Sequence, residues 1–276
     1  MILGYNTNGF AHHRLHDCIE LIAELGYGGV AVTPDVHHLD PQAHDFDQSL
    51  DSLAIQLDRL KMRACVETGA RFLLDTRRKH QPTLISRKVA DRKRRFAFLA
   101  GCIRTARRLN ATCLSFWSGS ADGDESHGKV MNRLASECRK LADLAARNRV
   151  RLAFEPEPGM LIDTMTKYSE LAQKVDHPSF GLTIDVGHLV CMGERPIGQI
   201  AREWNTRLWN VHLDDMRHGV HDHLRFGEGE VDFKDWFKAL REINFQGIAS
   251  VELSRHSHDA VNTARESLAF LRRIKK

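Results

Sequence analysis

Four stretches of the chain decide its fold: LAFEPEP (152–158), LTIDVGH (182–188), WNVHLDD (209–215) and ASVELSRH (249–256). Each contains a short apolar run of strand character and reaches an acidic residue or a histidine at or near its end. Because the carboxyl ends of parallel strands in a closed barrel share one rim, we expect these side chains to converge there. The converging residues are Glu155, Asp185, His212 and Glu252.

The rest of the chain repeats the alternation of strand and helix. Apolar runs rich in valine, isoleucine, leucine and phenylalanine, typical of buried parallel strands, occupy 2–6, 29–33, 63–67, 112–117, 150–155, 181–185, 208–213 and 248–253. Amphipathic stretches between them predict helices near 14–25, 48–61, 88–109, 126–148, 166–175, 196–204, 232–243 and 258–274. Gly26 is predicted to end the first helix, and Asp232 to cap the start of a later one.

Eight such alternations in 276 residues, with no serine- or glycine-rich linker, predict a single (β/α)8 TIM barrel domain spanning 1–276. An open doubly wound sheet is the competing architecture. No GxGxxG motif follows the first strand, which disfavours a dinucleotide-binding fold.

The composition, 42% hydrophobic and 28% charged residues, is that of a soluble globular protein. A net charge of +4 is compatible with an anionic substrate and requires none. The start MILGYNTNG reads as a strand, not a signal peptide, and no apolar stretch is long enough to span a membrane. The six cysteines form no CxxC pair, so we expect reduced thiols and a cytoplasmic protein.

Three carboxylates and one imidazole at one rim are ligands suited to a divalent cation. Oxygen-rich coordination favours Mn²⁺ and also suits Mg²⁺ or Co²⁺; Zn²⁺ is an alternative, although no thiolate favours it. The competing interpretation is a solvated network of salt bridges at the mouth of the barrel. Glu155 and Glu252 would arrive from the fifth and eighth strands, so they could flank a ligand. Two such carboxylates suit proton removal and return through an enediolate, as in isomerisation or epimerisation of a polyhydroxy carbonyl compound.

The segments FEPEPGMLIDT (154–164), TIDVGH (183–188), NVHLDDMRHGVHDHLRFGEGEVDF (210–233) and SVELS (250–254) resemble the xylose isomerase-like barrel superfamily, often described as sugar phosphate isomerases and epimerases. The resemblance to its tagatose/psicose 3-epimerase-like members implies that Glu155, Asp185, His212 and Glu252 hold a metal ion. It also implies that the two glutamates move the proton. His188 and Arg217 would contact substrate oxygens, and His223 matches the histidine of the family's H-x-x-x-G-x-G-x-(I/V)-D loop.

A second branch, similar to endonuclease IV, uses the same four positions within a trinuclear zinc site for abasic DNA. It also needs histidines after the third and fourth strands, where this chain reads ETGARF and FWSGS. His221 and His223 could still support a second metal. A keto-cyclitol dehydratase would use one metal and the same enolate chemistry. A barrel with a vestigial site that only binds a partner is the non-enzymatic alternative.

Several further residues follow predicted strands. Glu67 is either a group that faces substrate or a partner of Arg71, and Trp117 either walls a sugar pocket or packs on a helix. We expect a structural role for Glu157. The pairs His12/His13 and His37/His38 lie on rim loops, and their role stays open.

The basic runs divide by position. RRKH (77–80) lies in a loop near the rim and could bind a phosphate or carboxylate of the substrate. DRKRR (91–95) and RTARR (104–108) fall on one predicted helix and are expected to form its solvated face. These runs hold few aromatic residues, so nucleic acid is not an expected partner. The sequence carries no interface signature, which leaves both a monomer and a homo-oligomer open.

Overall fold

A computed structural model describes residues 1–121, 123 and 125–274, and its strands close into one parallel barrel. The barrel strands are β1 Ile2–Asn6, β2 Gly29–Val32, β3 Arg63–Glu67, β4 Leu114–Phe116, β5 Leu152–Phe154, β6 Phe180–Asp185, β7 Leu208–Leu213 and β10 Ile248–Val251. Strands that follow one another along the chain are neighbours in the barrel, and β10 pairs with β1 to close it. The predicted (β/α)8 TIM barrel is therefore confirmed.

Helices surround this barrel and follow the predicted pattern. They are α1 Leu15–Leu25, α2 Phe46–Leu60, α3 Val89–Arg108, α4 His127–Arg147, α5 Met165–Val175, α6 Val186–Cys191, α7 Ile197–Glu203, α8 Phe233–Glu242 and α9 Ala260–Ile274. Gly26 ends α1 at a φ of 97°, where its N–H donates to the Ala23 carbonyl. The Asp232 carboxylate caps α8 by accepting the backbone N–H groups of Lys234 and Asp235. Both predicted helix boundaries are confirmed.

A helix and a hairpin are among the elements that were not predicted. The first is α6, which begins directly after β6 because the Asp185 carboxylate accepts the backbone N–H of His188 and so caps the helix. The second is an antiparallel hairpin of β8 Asp215–Arg217 and β9 Val220–Leu224. Its sequence, VHDHL in the second strand, is too polar to show the alternation that identifies a half-buried strand.

Alternate residues of each strand face two different apolar layers. In β2, Val30 and Val32 belong to the large cluster between the barrel and its helices, whereas Ala31 belongs to a separate small cluster. That small cluster consists of Ala31, Cys65, Cys113, Ala153 and Ile248. All six cysteines are free and buried, as expected for reduced thiols. Within the described residues, no helix is both long and apolar enough to cross a membrane.

Candidate metal centre and substrate cavity

The four predicted metal ligands meet at the carboxyl ends of their strands. Glu155 follows β5, Asp185 ends β6, His212 lies near the end of β7 and Glu252 follows β10. Each offers one ligand atom such that all four atoms lie within 4.8 Å of one another. The parallel register explains part of this arrangement, because Asp185 is the direct cross-strand neighbour of His212.

The imidazole of His212 lies at the centre of this group. Its Nδ1 atom is 2.9 Å from Oε1 of Glu155 and 2.8 Å from Oε2 of Glu252. One ring nitrogen carries at most one proton, so Nδ1 cannot donate a full hydrogen bond to both carboxylates. Ligand atoms held at ~2.1 Å from one cation lie roughly 3 Å apart, which is the spacing observed here. The donor set therefore fits a divalent cation.

The other ring nitrogen of His212 has a fixed partner inside the barrel. Nε2 lies 2.7 Å from Oε1 of Glu67, and the same carboxylate oxygen accepts from the side-chain amide of Asn210 at 3.0 Å. Glu67 and His212 are both buried. An N–H at Nε2 leaves the lone pair on Nδ1, which is the tautomer that a cation requires.

Orphaned polar atoms also mark this place. Oδ2 of Asp185 and Oδ1 of Asp214 are buried, and neither has a hydrogen-bond partner among the described residues. A buried acceptor without a partner costs about 1–3 kcal/mol, and more when it carries charge. A cation bound beside Asp185 would remove this penalty.

The electrostatics of the two glutamates differ. Burial raises the pKa of Glu155 to about 8, although His212 opposes the shift. Burial also acts on Glu252, but His212 and His223 outweigh it and hold the pKa of this carboxyl below its usual value. His212 is buried as well, yet Glu155, Glu67 and Glu252 together raise its pKa. A bound dication would offset the surplus of negative charge.

Three histidines form a second cluster beside the first. His188, His221 and His223 each offer a ring nitrogen, and these atoms lie within 4.8 Å of one another. Nδ1 of His188 lies 3.2 Å from the Pro156 carbonyl and donates to it, while Nε2 lies 3.1 Å from Nε2 of His221. His223 pairs with Asp214 at 2.5 Å. His221 and His223 both come from the unpredicted β9.

A cavity of about 220 Å³ opens above these groups and suits a single small molecule. Most of the predicted site residues reach it: Glu67, Trp117, Glu155, His188 and Glu252. The lining also includes residues that were not predicted from the sequence: Thr33, Thr68, Gly69, Ser254 and Arg255. These follow β2, β3 and β10 at the rim, and their ordinary polar character gave no signal in the sequence.

Trp117 forms part of the cavity wall, with its ring held from two sides. The His80 ring packs edge-on against it at a centroid distance of 5.0 Å, and the Arg95 guanidinium lies 4.3 Å from its ring centre. Arg95 corrects the prediction that the run 91–95 forms a solvated helix face, because it is only 1% exposed. The physical reason is helical spacing: Arg95 lies on the same face of α3 as the buried Phe98 and Leu99.

Other predicted residues lie elsewhere. Arg217 is absent from the cavity lining; its exposed guanidinium donates to the Glu228 carbonyl at 3.0 Å. The two histidine pairs also lie outside the lining. His38 is buried and bonded to the backbone carbonyl of His13 at 2.8 Å, whereas His12 and His37 are exposed.

Comparisons with known proteins place the chain in a family and agree with its fold. The sequence model of the xylose isomerase-like TIM barrel family matches residues 19–274. An inosose dehydratase of Clostridium botulinum is 30% identical over 138 residues, covering 44% of this chain and 46% of that protein. The chain thus spans about half the length of the curated relatives it matches.

Two solved structures share the fold. A D-allulose 3-epimerase from Methylomonas sp. superposes with a TM-score of 0.80 at 18% identity, covering 99% of this chain and 98% of that chain. The IOLI protein with a bound zinc atom superposes with a TM-score of 0.79 at 20% identity, covering 98% of each chain. At these identities the likeness concerns the fold alone.

Proposed function

We propose, from the premise that the chain belongs to the xylose isomerase-like TIM barrel family, that it is a divalent-metal-dependent enzyme. It would isomerise or epimerise a sugar or a related polyhydroxy carbonyl compound. The observation that carries this proposal is that carboxylate oxygens of Glu155 and Glu252 lie 2.9 and 2.8 Å from His212 Nδ1, and that both glutamates line a small cavity. The epimerase and dehydratase names of the relatives support the same substrate class.

In this proposal Glu155, Asp185, His212 and Glu252 hold the metal ion. When bound, the ion would polarise the carbonyl and neighbouring hydroxyl of the substrate. The oxygen-rich donor set favours Mn²⁺, and the zinc atom of the IOLI structure supports Zn²⁺ as the alternative. The whole chain would act as one domain.

The two glutamates would exchange the proton. Both carboxylates line the cavity, and they arrive from different strands, Glu155 after β5 and Glu252 after β10. Glu252 would take the proton from the carbon next to the carbonyl, which gives an enediolate. Glu155 would return a proton to the opposite face or to the adjacent carbon.

The surrounding residues would position these groups. His188 lines the cavity and donates from Nδ1 to the Pro156 carbonyl; its Nε2, which lies 3.1 Å from Nε2 of His221, would contact a substrate oxygen. The Trp117 ring offers an apolar face to a sugar ring. The sequence predicted Glu67 as a substrate contact; we propose instead that it orients His212, because its Oε1 is already engaged.

A keto-cyclitol dehydratase is the second candidate, favoured by the identity to inosose dehydratases. It would use the same proton removal but expel a hydroxyl group from the adjacent carbon. A phosphoesterase of the endonuclease IV type is supported by the cluster of His188, His221 and His223, which could bind a further cation. Elemental analysis distinguishes this phosphoesterase from the one-metal candidates, because an enzyme of the endonuclease IV type needs two or three metal ions per chain.

Small molecules, and not nucleic acid, are the partners that we propose. The buried, free cysteines support the cytoplasmic location expected from the sequence. The cavity of about 220 Å³ at the barrel rim suits a small molecule.

Exchange of solvent deuterium into a panel of ketoses tests the proposal. The metal-loaded protein should label the carbon next to the carbonyl, and the Glu155→Gln and Glu252→Gln variants should lose roughly 10²–10⁴-fold in rate while keeping the fold. The Glu203→Gln variant, altered at an exposed glutamate of α7, serves as the matched control. Wild-type exchange rates in either active-site variant would overturn the proton-transfer roles. Loss of water from a keto-inositol, without epimerised product, would favour the dehydratase.

A further inference from the structure

The loop between β3 and α3 brings basic side chains to one wall of the cavity. Arg71, Lys79 and His80 all line it. The backbone N–H of His80 donates to the Arg71 carbonyl at 2.6 Å, which joins the ends of the segment 71–80 within the loop. In the barrel, β3 lies opposite β7, which carries the central ligand His212. Arg71, Lys79 and His80 form what we call the basic wall, and the carboxylates around His212 form the acidic floor. The wall and the floor therefore lie on different sides of one cavity.

The two cations of this loop have no acidic partner in the part of the chain that is described. Neither Arg71 nor Lys79 forms an ion pair within 4.0 Å, and Lys79 is exposed. The carboxylate of Asp75, in the same loop, forms an ion pair with Arg78. Glu157 also lines the cavity but lies beyond ion-pair distance of Lys79. By contrast Arg255, another basic residue at the cavity, is paired with Asp222 at 2.5 Å.

A third cation lies directly behind this wall. Arg95 is buried beneath Trp117, and its Nη2 donates to the Thr68 carbonyl at 3.2 Å, while its Nη1 has no hydrogen-bond partner. Burial lowers the pKa of Arg95 to about 10, so it stays charged at neutral pH. A buried charge without a counter-ion is costly, and a nearby anion would offset that cost.

The pKa of His80, at the centre of the wall, reflects the positive charge around it. Burial and the charges of Lys79, Arg95 and Arg71 together lower the pKa of His80 to about 4, against the opposing effect of its bond to the Gly69 carbonyl. A neutral imidazole between three cations can act as a hydrogen-bond donor without adding repulsion among them.

Resting on the proposed function, we infer that Arg71 and Lys79, backed by Arg95, form a subsite for an anionic group of the substrate. The substrate class is then a ketose or keto-cyclitol that carries a phosphate or a carboxylate at the end remote from the reacting carbonyl. Opposite charges at the two sides of the cavity would fix the direction in which the substrate enters. Phosphate and carboxylate share the chemistry that the wall recognises.

Binding of inorganic phosphate tests the subsite without reference to turnover. We would titrate the metal-loaded protein with phosphate by calorimetry and compare the Arg71→Gln/Lys79→Gln double variant. Each charge-assisted hydrogen bond lost should weaken binding about tenfold or more. Lys93→Gln, at an exposed lysine of α3 outside the cavity, removes one positive charge from the surface as a control and should bind phosphate like the wild type. Equal phosphate affinity in the double variant would overturn the inference.

Deuterium exchange with three matched substrates distinguishes the two proposals. The probes are D-fructose, D-fructose 6-phosphate and D-fructuronate, which are neutral, phosphorylated and carboxylated. For at least one of the two anionic probes, kcat/KM for exchange should exceed that for D-fructose by about tenfold or more. The double variant should lose this advantage because its KM for that probe rises. The identity of the favoured probe then shows whether the subsite binds phosphate or carboxylate. Equal or faster exchange with D-fructose would overturn the subsite and leave the proposed function intact. No exchange with any probe would refute the proposed function, and the phosphate titration would still decide the subsite.

Discussion

Replacing Glu67 with glutamine should weaken metal binding without removing a ligand. The change keeps the shape of the side chain but removes the charge that accepts the His212 Nε2 bond at 2.7 Å. Both groups are buried, so water cannot substitute for the lost acceptor charge. Residues that orient a metal-binding histidine typically contribute 10- to 100-fold in affinity, which corresponds to ~1.4–2.7 kcal/mol.

Competition titration with a chelating dye would measure the Kd for Mn²⁺ and Zn²⁺ in the wild type and in Glu67→Gln. Glu203→Gln, changed in the same way on an exposed helix, should match the wild type. Circular dichroism and thermal unfolding would establish that both variants are folded. If Glu67→Gln bound both metals with wild-type affinity, the orienting role of Glu67 would be refuted.

Three further results are expected. Gly187→Ala should lower the free energy of unfolding by ~1–3 kcal/mol in urea denaturation, because its Cβ would overlap Oδ1 of Asp214; a neutral effect would contradict this packing. Arg95→Met should leave the free energy of unfolding unchanged or raise it by ~1–4 kcal/mol, because the change removes a buried charge that has no carboxylate partner. A large loss of stability would show that the Arg95 charge stabilises the fold. Acidification from pH 7 to pH 5 should lower the free energy of unfolding by about 2 kcal/mol through His80, because this histidine protonates near its ordinary pKa in the unfolded chain and at about 4 in the folded chain. The His80→Gln variant should lack this part of the pH dependence. An unchanged stability profile in that variant would contradict the assignment.

The barrel and the convergence of four candidate ligands at its rim could be predicted because both follow from local patterns. Buried parallel strands read as continuous apolar runs, and a closed barrel brings their carboxyl ends to one rim. Glu155, Asp185, His212 and Glu252 each stand at the end of such a run, so their convergence required only the strand order. The caps at Gly26 and Asp232 depend on single residues and were equally accessible.

Features that depend on distant contacts could not be predicted. The bond between Glu67 and His212 joins side chains 145 positions apart inside the barrel, and no local pattern encodes it. Arg95 was assigned to a solvated face because it stands in a run of basic residues, whereas its position relative to Phe98 directs it inward. The hairpin that supplies His221 was missed because its strand is polar on both faces.

Anomalous diffraction from a crystal soaked in Mn²⁺ is the most direct test of the proposed metal centre. The account predicts one strong peak among Glu155, Asp185, His212 and Glu252, with metal–ligand distances of ~2.0–2.3 Å. The peak should disappear in crystals of the Asp185→Asn/His212→Gln double variant. A soaked wild-type crystal with no peak at these four side chains would contradict the central claim.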